Sequence, residues 1–110
     1  MIKTISTIEE FEKVIKENLG VVFYFSTPEC NVCKILKPKL IELIEESFPK
    51  LEFFYIDCSL AVELASQKSV FAVPTILVYF DGKEFIRKSR NLSLAEFEKE
   101  ISRPYTMLFE

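Results

Sequence analysis

The 110-residue chain contains no histidine and no tryptophan, and only two glycines, five prolines and three cysteines. Without histidine it lacks the usual general base near neutral pH, the commonest nitrogen ligand of zinc and any cysteine–histidine protease mechanism. So few glycines and prolines leave little material for disordered linkers. An odd number of cysteines suits a structural disulfide framework badly. No apolar run approaches the roughly 18 residues of a membrane span, so no membrane partner is expected. The opening segment, MIKTISTIEEFEK, carries charges where a signal peptide has its apolar stretch. Basic excess is missing as well. Fourteen Lys and Arg against seventeen Asp and Glu give a net charge of −3, which argues against nucleic acid because phosphate binding needs a basic surface. Together these absences point to a soluble, cytoplasmic protein. In that reducing compartment a reversible cysteine pair plus one further thiol fits better than permanent crosslinks.

What is present is apolar. Hydrophobic residues make up 49% of the chain and eleven of them are Phe, enough for a core in the one domain (1–110) that this length suggests. Ile2 to Ile5 reads as a first strand. Thr7 and Glu10 form a capping box, followed by Ile8, Phe11, Val14 and Ile15 at helical spacing, with Gly20 as the stop. Val21 to Phe25 is apolar on both faces, as in a central strand covered by helices on either side. Cys30 to Ser47 reads as a second helix with a stripe of Leu36, Leu40, Leu43, Ile44 and Phe48, bent at Pro38. Leu51 to Asp57 is the third strand, Leu60 to Lys68 a short helix and Pro74 to Phe80 the fourth strand. Asp81-Gly82 turns the chain into a hairpin with KEFIRKS. Ser93 and Glu96 suggest a second capping box and a helix to about Ser102. Pro104 is expected to end it, leaving 104–110 as an apolar tail that folds back over the sheet edge, with covering a partner surface as the rival. The order β-α-β-α-β-α-β-β-α predicts an α/β fold. Its mixed central sheet has three parallel strands plus an antiparallel hairpin, flanked by helices.

The chemistry-bearing segment is STPECNVCKILKP, Ser26 to Pro38. It leaves a central strand and enters a helix, which places Cys30 in the first turn. Unpaired N–H groups and the positive end of the macrodipole there favour a thiolate, so a thiol is activated without histidine. Lys34 adds positive charge and Glu29 subtracts from it. Cys33 lies on the same face, and residues at that spacing have Cβ atoms about 5–6 Å apart, near the distance a disulfide needs. Cys30 would then be the exposed attacker and Cys33 the deeper, resolving thiol. Two rival readings stay open. The pair could be buried packing cysteines, although a helix start at a loop hides thiols poorly. It could also hold a metal or cluster. One chain supplies only this pair and a distant Cys58, so that reading needs cysteines from two chains.

The strand, the CxxC opening a proline-containing helix, and the Val73-Pro74-Thr75 step before another strand together resemble the thioredoxin family. The matching segments are VVFYFSTPECNVCKILKP and VFAVPTILVYFDGKEF, within a resemblance that covers about residues 1–103. It implies a thiol–disulfide oxidoreductase that exchanges disulfides with protein substrates; the reducing compartment favours the reductant direction, and a monomer is expected. No bound cofactor or metal is implied, but a reductase or a small thiol must recycle the protein. It also implies a cis bond before Pro74, with Val73, Pro74 and Thr75 shaping a substrate groove in which backbone groups pair with an extended chain.

Three positions depart from the family pattern. Glu29 stands where an aromatic residue is usual. Asn31 and Val32 replace the Gly-Pro between the cysteines, where the family tunes redox potential. The family's buried acid falls at Tyr24, and the acid's lysine partner falls at Phe53. Activation of Cys33 then relies on water, Tyr24 or the substrate, and slower release of the mixed disulfide is expected. These departures motivate an alternative of a different class, a thioredoxin-fold binding or adaptor module with weak turnover. Cys58, at the end of the third strand, reads as a packing cysteine, with a regulatory thiol as the rival. Lys34, Lys37 and Lys39 form a solvated helix face that could steer acidic partners.

Overall fold

A computed structural model describes residues 3–90 and 92–110. Among these, five strands and four helices follow the expected order. Strands β1 (Lys3–Thr4), β2 (Gly20–Ser26), β3 (Glu52–Asp57), β4 (Thr75–Phe80) and β5 (Lys83–Lys88) form one sheet in the order β1-β3-β2-β4-β5. β1 and β2 run parallel to β3, and β4 runs antiparallel to both β2 and β5. Ile2, the expected start of the first strand, lies outside the described residues.

Period-two alternation along β2 builds a core on each face of the sheet. Phe23 and Phe25 point to one side, where α1 (Ile8–Glu17) and α3 (Val62–Gln67) supply Phe11, Val14 and Leu64. Val22 and Tyr24 point to the other, against Leu40 and Ile44 of α2 (Asn31–Ser47) and Phe97 and Ile101 of α4 (Leu94–Phe109). Every residue of β2 is buried, which is why its sequence shows no polar face. The Thr7–Glu10 capping box is complete, with Glu10 accepting the Thr7 N–H at 3.1 Å and Thr7 Oγ1 accepting the Glu10 N–H at 3.1 Å. Asp81 and Gly82 both have positive φ (54° and 78°), the geometry of the tight turn expected between β4 and β5.

Three expectations need correction. Gly20 does not stop α1. Asn18 ends that helix, its backbone N–H and its side-chain amide both donating to the Val14 carbonyl (3.1 and 2.9 Å). Gly20 instead opens β2, where a Cβ would collide with the Leu51 side chain and sit 3.0 Å from the Phe109 ring. Pro104 does not end α4 either, since the helix runs through it to Phe109. Tyr105 is buried, its ring 5.0 Å from that of Phe48 and 4.9 Å from that of Phe109, and its hydroxyl accepts the Lys50 N–H at 3.1 Å. That packing outweighs the cost, about 3 kcal/mol, of a proline inside a helix. Pro104–Phe109 therefore continue α4 rather than forming a separate tail, and they do fold back on the sheet, with Phe109 against Gly20 at the start of β2. Finally, the second capping box is half made. Ser93 Oγ accepts the Glu96 N–H at 3.3 Å, but the return bond is absent among the described residues.

Candidate active site

β2 delivers the chain into the CxxC segment at the carboxyl end of the sheet's central strand. Cys30 is the N-cap of α2, one position before the first turn in which it was expected. Its Sγ faces the Cys33 N–H at 3.2 Å, the place a capping serine oxygen would take. Its own N–H donates to the Thr27 carbonyl at 3.2 Å. Cys33, two positions into the helix from Asn31, is buried, whereas Cys30 is half-buried. The two are joined as a disulfide, with Cα atoms 5.3 Å apart. Asn31, Val32 and Lys34 are exposed around them, so Cys33 is the residue of the first turn that faces the core.

The Val73–Pro74 bond is cis. Phe25 pairs with Thr75 in register, so the chain leading into β4 runs beside the chain leaving β2. Pro74 is buried, and Val73 is half-buried against the apolar cluster that also holds Cys30 and Cys33. Thr75 Oγ1 donates to the Ala72 carbonyl at 2.6 Å, which closes the turn around the proline. One edge of the sheet, where β2 ends and β4 begins, thus carries the cysteine pair and the Val73-Pro74-Thr75 step together.

Tyr24 is fully buried beneath α2 and donates its hydroxyl proton to the Cys33 carbonyl at 2.8 Å. Burial, reinforced by the neighbouring Tyr55, pushes its pKa up to about 12. It therefore keeps its proton at neutral pH, which corrects the expectation that it could take one from Cys33. The Tyr24 ring lies 6.1 Å from Phe53 at an interplanar angle of 29°, so an aromatic pair stands where the family pattern has an acid and a lysine. Lys37 stands 4.1 Å over the Tyr55 ring and extends this column to the surface.

Cys58 sits on the other face of the sheet from Cys33, partly buried against the cluster of Phe23, Phe25 and Ile56. Burial, and then the adjacent Asp57, raise its pKa above the ordinary thiol value. Among the described residues no three Cys, Asp or Glu side chains are grouped to hold a metal ion.

The thioredoxin family profile matches residues 3–103. The chain belongs to the thioredoxin family. A thioredoxin-like protein of Bacillus subtilis, YdfQ, is 31% identical over 101 residues, which cover 92% of this chain and 89% of that one. Thioredoxin-1 of Saccharomyces cerevisiae is 32% identical over 84 residues, 76% of this chain and 81% of its own. Among solved structures, oxidised mitochondrial thioredoxin 3 of Saccharomyces cerevisiae superimposes with a TM-score of 0.83 at 28% identity, covering 92% of this chain and 93% of that one. The Fasciola hepatica thioredoxin gives 0.82 at 31% identity, covering 92% and 97%. A thioredoxin fold with a CxxC disulfide makes the chain a thiol–disulfide oxidoreductase, and family membership implies protein disulfides as substrates and a reductase as partner.

The role of Tyr105 was missed in the sequence, but its signal was there. Leu94, Phe97, Ile101, Tyr105 and Leu108 keep helical spacing straight across Pro104.

Proposed function

We propose that the chain works in the cytoplasm as a reductant of protein disulfides, contributing to redox homeostasis. Cys30 is the attacking thiol and Cys33 the resolving one. The observation that carries this reading is the asymmetry of the pair: Cys30 is partly exposed at the helix cap, and Cys33 is buried behind it. The Cys30 thiolate attacks one sulfur of a substrate disulfide, and the other substrate sulfur leaves as a thiolate. Cys33, as thiolate, then attacks Cys30 Sγ and the second substrate sulfur leaves. Two electrons have passed to the substrate, and the Cys30–Cys33 disulfide remains for a reductase or small thiol to reduce. The positive end of α2 and the Cys33 N–H stabilise the Cys30 thiolate, with exposed Lys34 one turn on adding to the field. Val73 offers backbone groups to an extended substrate, and Pro74 and Thr75 form the floor of that groove.

Trapping tests this assignment. Cys33→Ser should accumulate a mixed disulfide between Cys30 and a substrate protein or peptide disulfide, and Cys30→Ser should accumulate none. Equal trapping by both variants would overturn the order of attack. A second reading, a binding or adaptor module with weak turnover, draws support from Tyr24, which cannot act as a base at neutral pH. It predicts stable complexes with partners that persist in a Cys30→Ser, Cys33→Ser double variant.

A further inference from the structure

One buried polar side chain at this site neither attacks nor leaves in either sulfur step. Tyr24 holds the Cys33 carbonyl at 2.8 Å, and the Thr27 carbonyl, one residue beyond β2, holds the Cys30 N–H at 3.2 Å. Both cysteines are thus tied by a hydrogen bond to the same strand or its immediate extension. The tie matters because of Pro38, which lies inside α2. A proline has no N–H, so the Lys34 carbonyl has no helical donor, and the ring crowds that carbonyl. The first turn of α2 is therefore coupled to the rest of its helix less firmly than in an unbroken helix. Its other side chains, Asn31, Val32 and Lys34, are exposed and anchor nothing in the core. The Tyr24 ring is itself confined, with Phe53 at 6.1 Å and Tyr55 at 6.3 Å.

We propose that Tyr24 is a positioning residue for the dithiol: through the Cys33 carbonyl it fixes the first turn of α2 where Cys33 reaches Cys30. The proposal rests on the reading of Cys30 and Cys33 as the redox pair. The step it assists is the second one. A sulfur–sulfur bond forms between Cys33 and Cys30 as the bond from Cys30 to the substrate sulfur breaks, and the substrate thiolate leaves with the electron pair. That attack is intramolecular, so its rate and its equilibrium both follow the effective concentration of Cys33 at Cys30 Sγ. Because the hydroxyl stays protonated, its contribution is geometric.

Tyr24→Phe keeps the ring and removes the donor. Three quantities decide the matter: the equilibrium constant for disulfide formation against glutathione, the collapse rate of a Cys30–glutathione mixed disulfide, and the thermal unfolding of the oxidised and reduced forms. The equilibrium constant should fall about threefold to tenfold, the scale of one neutral hydrogen bond. Collapse should slow by a similar factor, and the oxidised form should lose more stability than the reduced form. An unchanged constant and rate, with both redox forms destabilised equally, would make the hydroxyl merely structural and overturn the proposal. Pro38→Ala provides a second variant, since it gives the Lys34 carbonyl its donor back. The loss caused by Tyr24→Phe should shrink in that background, and an undiminished loss would contradict the argument. A wild-type protein whose Cys30 and Cys33 never form a disulfide in glutathione would overturn the redox-pair reading itself, and the proposal with it.

Discussion

Replacing Tyr105 with alanine tests whether the last turn of α4 belongs to the fold. The side chain is 4% exposed, it packs edge-on against Phe48 and tilted against Phe109, and its hydroxyl accepts the Lys50 N–H. Truncating a buried aromatic ring costs about 3–5 kcal/mol, and an unmade hydrogen bond adds about 1 kcal/mol. A loss of about 4 kcal/mol, the low end of that sum, is a large share of the roughly 5–15 kcal/mol that holds a domain together. With a urea dependence of about 2 kcal/mol per molar, the unfolding midpoint should move down by about 2 M. Tyr105→Phe, which keeps the ring, should move it by about 0.5 M on the same scale. The redox equilibrium should not change in either variant. Tyr105 packs on Phe109, which lies against Gly20 at the start of β2, and the seven-residue strand puts roughly 20 Å between that end and the cysteines. A midpoint for Tyr105→Ala within about 0.3 M of wild type, far below the shift that the area and hydrogen bond require, would mean that residues 104–110 are a loose tail after all.

Two further outcomes follow from ionisation. The Glu10 carboxylate accepts the Ser6 and Thr7 N–H groups at 2.9 and 3.1 Å, and these bonds lower its pKa. A depressed carboxyl contributes stability that is fully present above its unfolded value of about 4.3 and is lost as pH falls through the native value. Because solvent screens this exposed carboxylate, Glu10→Gln should cost at most about 0.5 kcal/mol at pH 7, and the gap from wild type should close in urea melts at acidic pH. A gap independent of pH would show that the charge contributes nothing. Cys58 is raised by burial and by Asp57, so in the oxidised protein iodoacetamide should label it more slowly at pH 8 than it labels a model peptide thiol. Labelling as fast as the peptide would instead mark it as an accessible, reactive thiol.

Much of this architecture could be read from local pattern. Val21 to Phe25 shows no polar face and is β-branched or aromatic throughout, the pattern of a strand covered on both faces. Thr7 with Glu10, and Asp81 with Gly82, are short-range signals whose hydrogen bonds and dihedrals lie within a few residues. The cysteine pair was legible because spacing alone puts both sulfurs on one side of a helix start. What could not be read depends on contacts far apart in sequence. Pro104 is a local stop signal, overruled by Tyr105 packing on Phe48, fifty-seven residues earlier. Gly20 looks like a helix terminator until Leu51 and Phe109 close over it. Tyr24 could be aligned with a missing acid, but only the fold shows that its hydroxyl is aimed at the Cys33 carbonyl rather than at a sulfur proton.

The most direct measurement is a redox titration of the purified protein in glutathione and dithiothreitol buffers, trapping free thiols and reading the mass. A single two-electron transition is expected, in which Cys30 and Cys33 lose their thiols together and Cys58 keeps its own. A midpoint near or below about −270 mV would fit a general reductant, and one near about −120 mV would reverse the proposed direction of exchange. A pair that never closes, or a transition that recruits Cys58, would contradict the assignment of Cys30 and Cys33 as the redox pair.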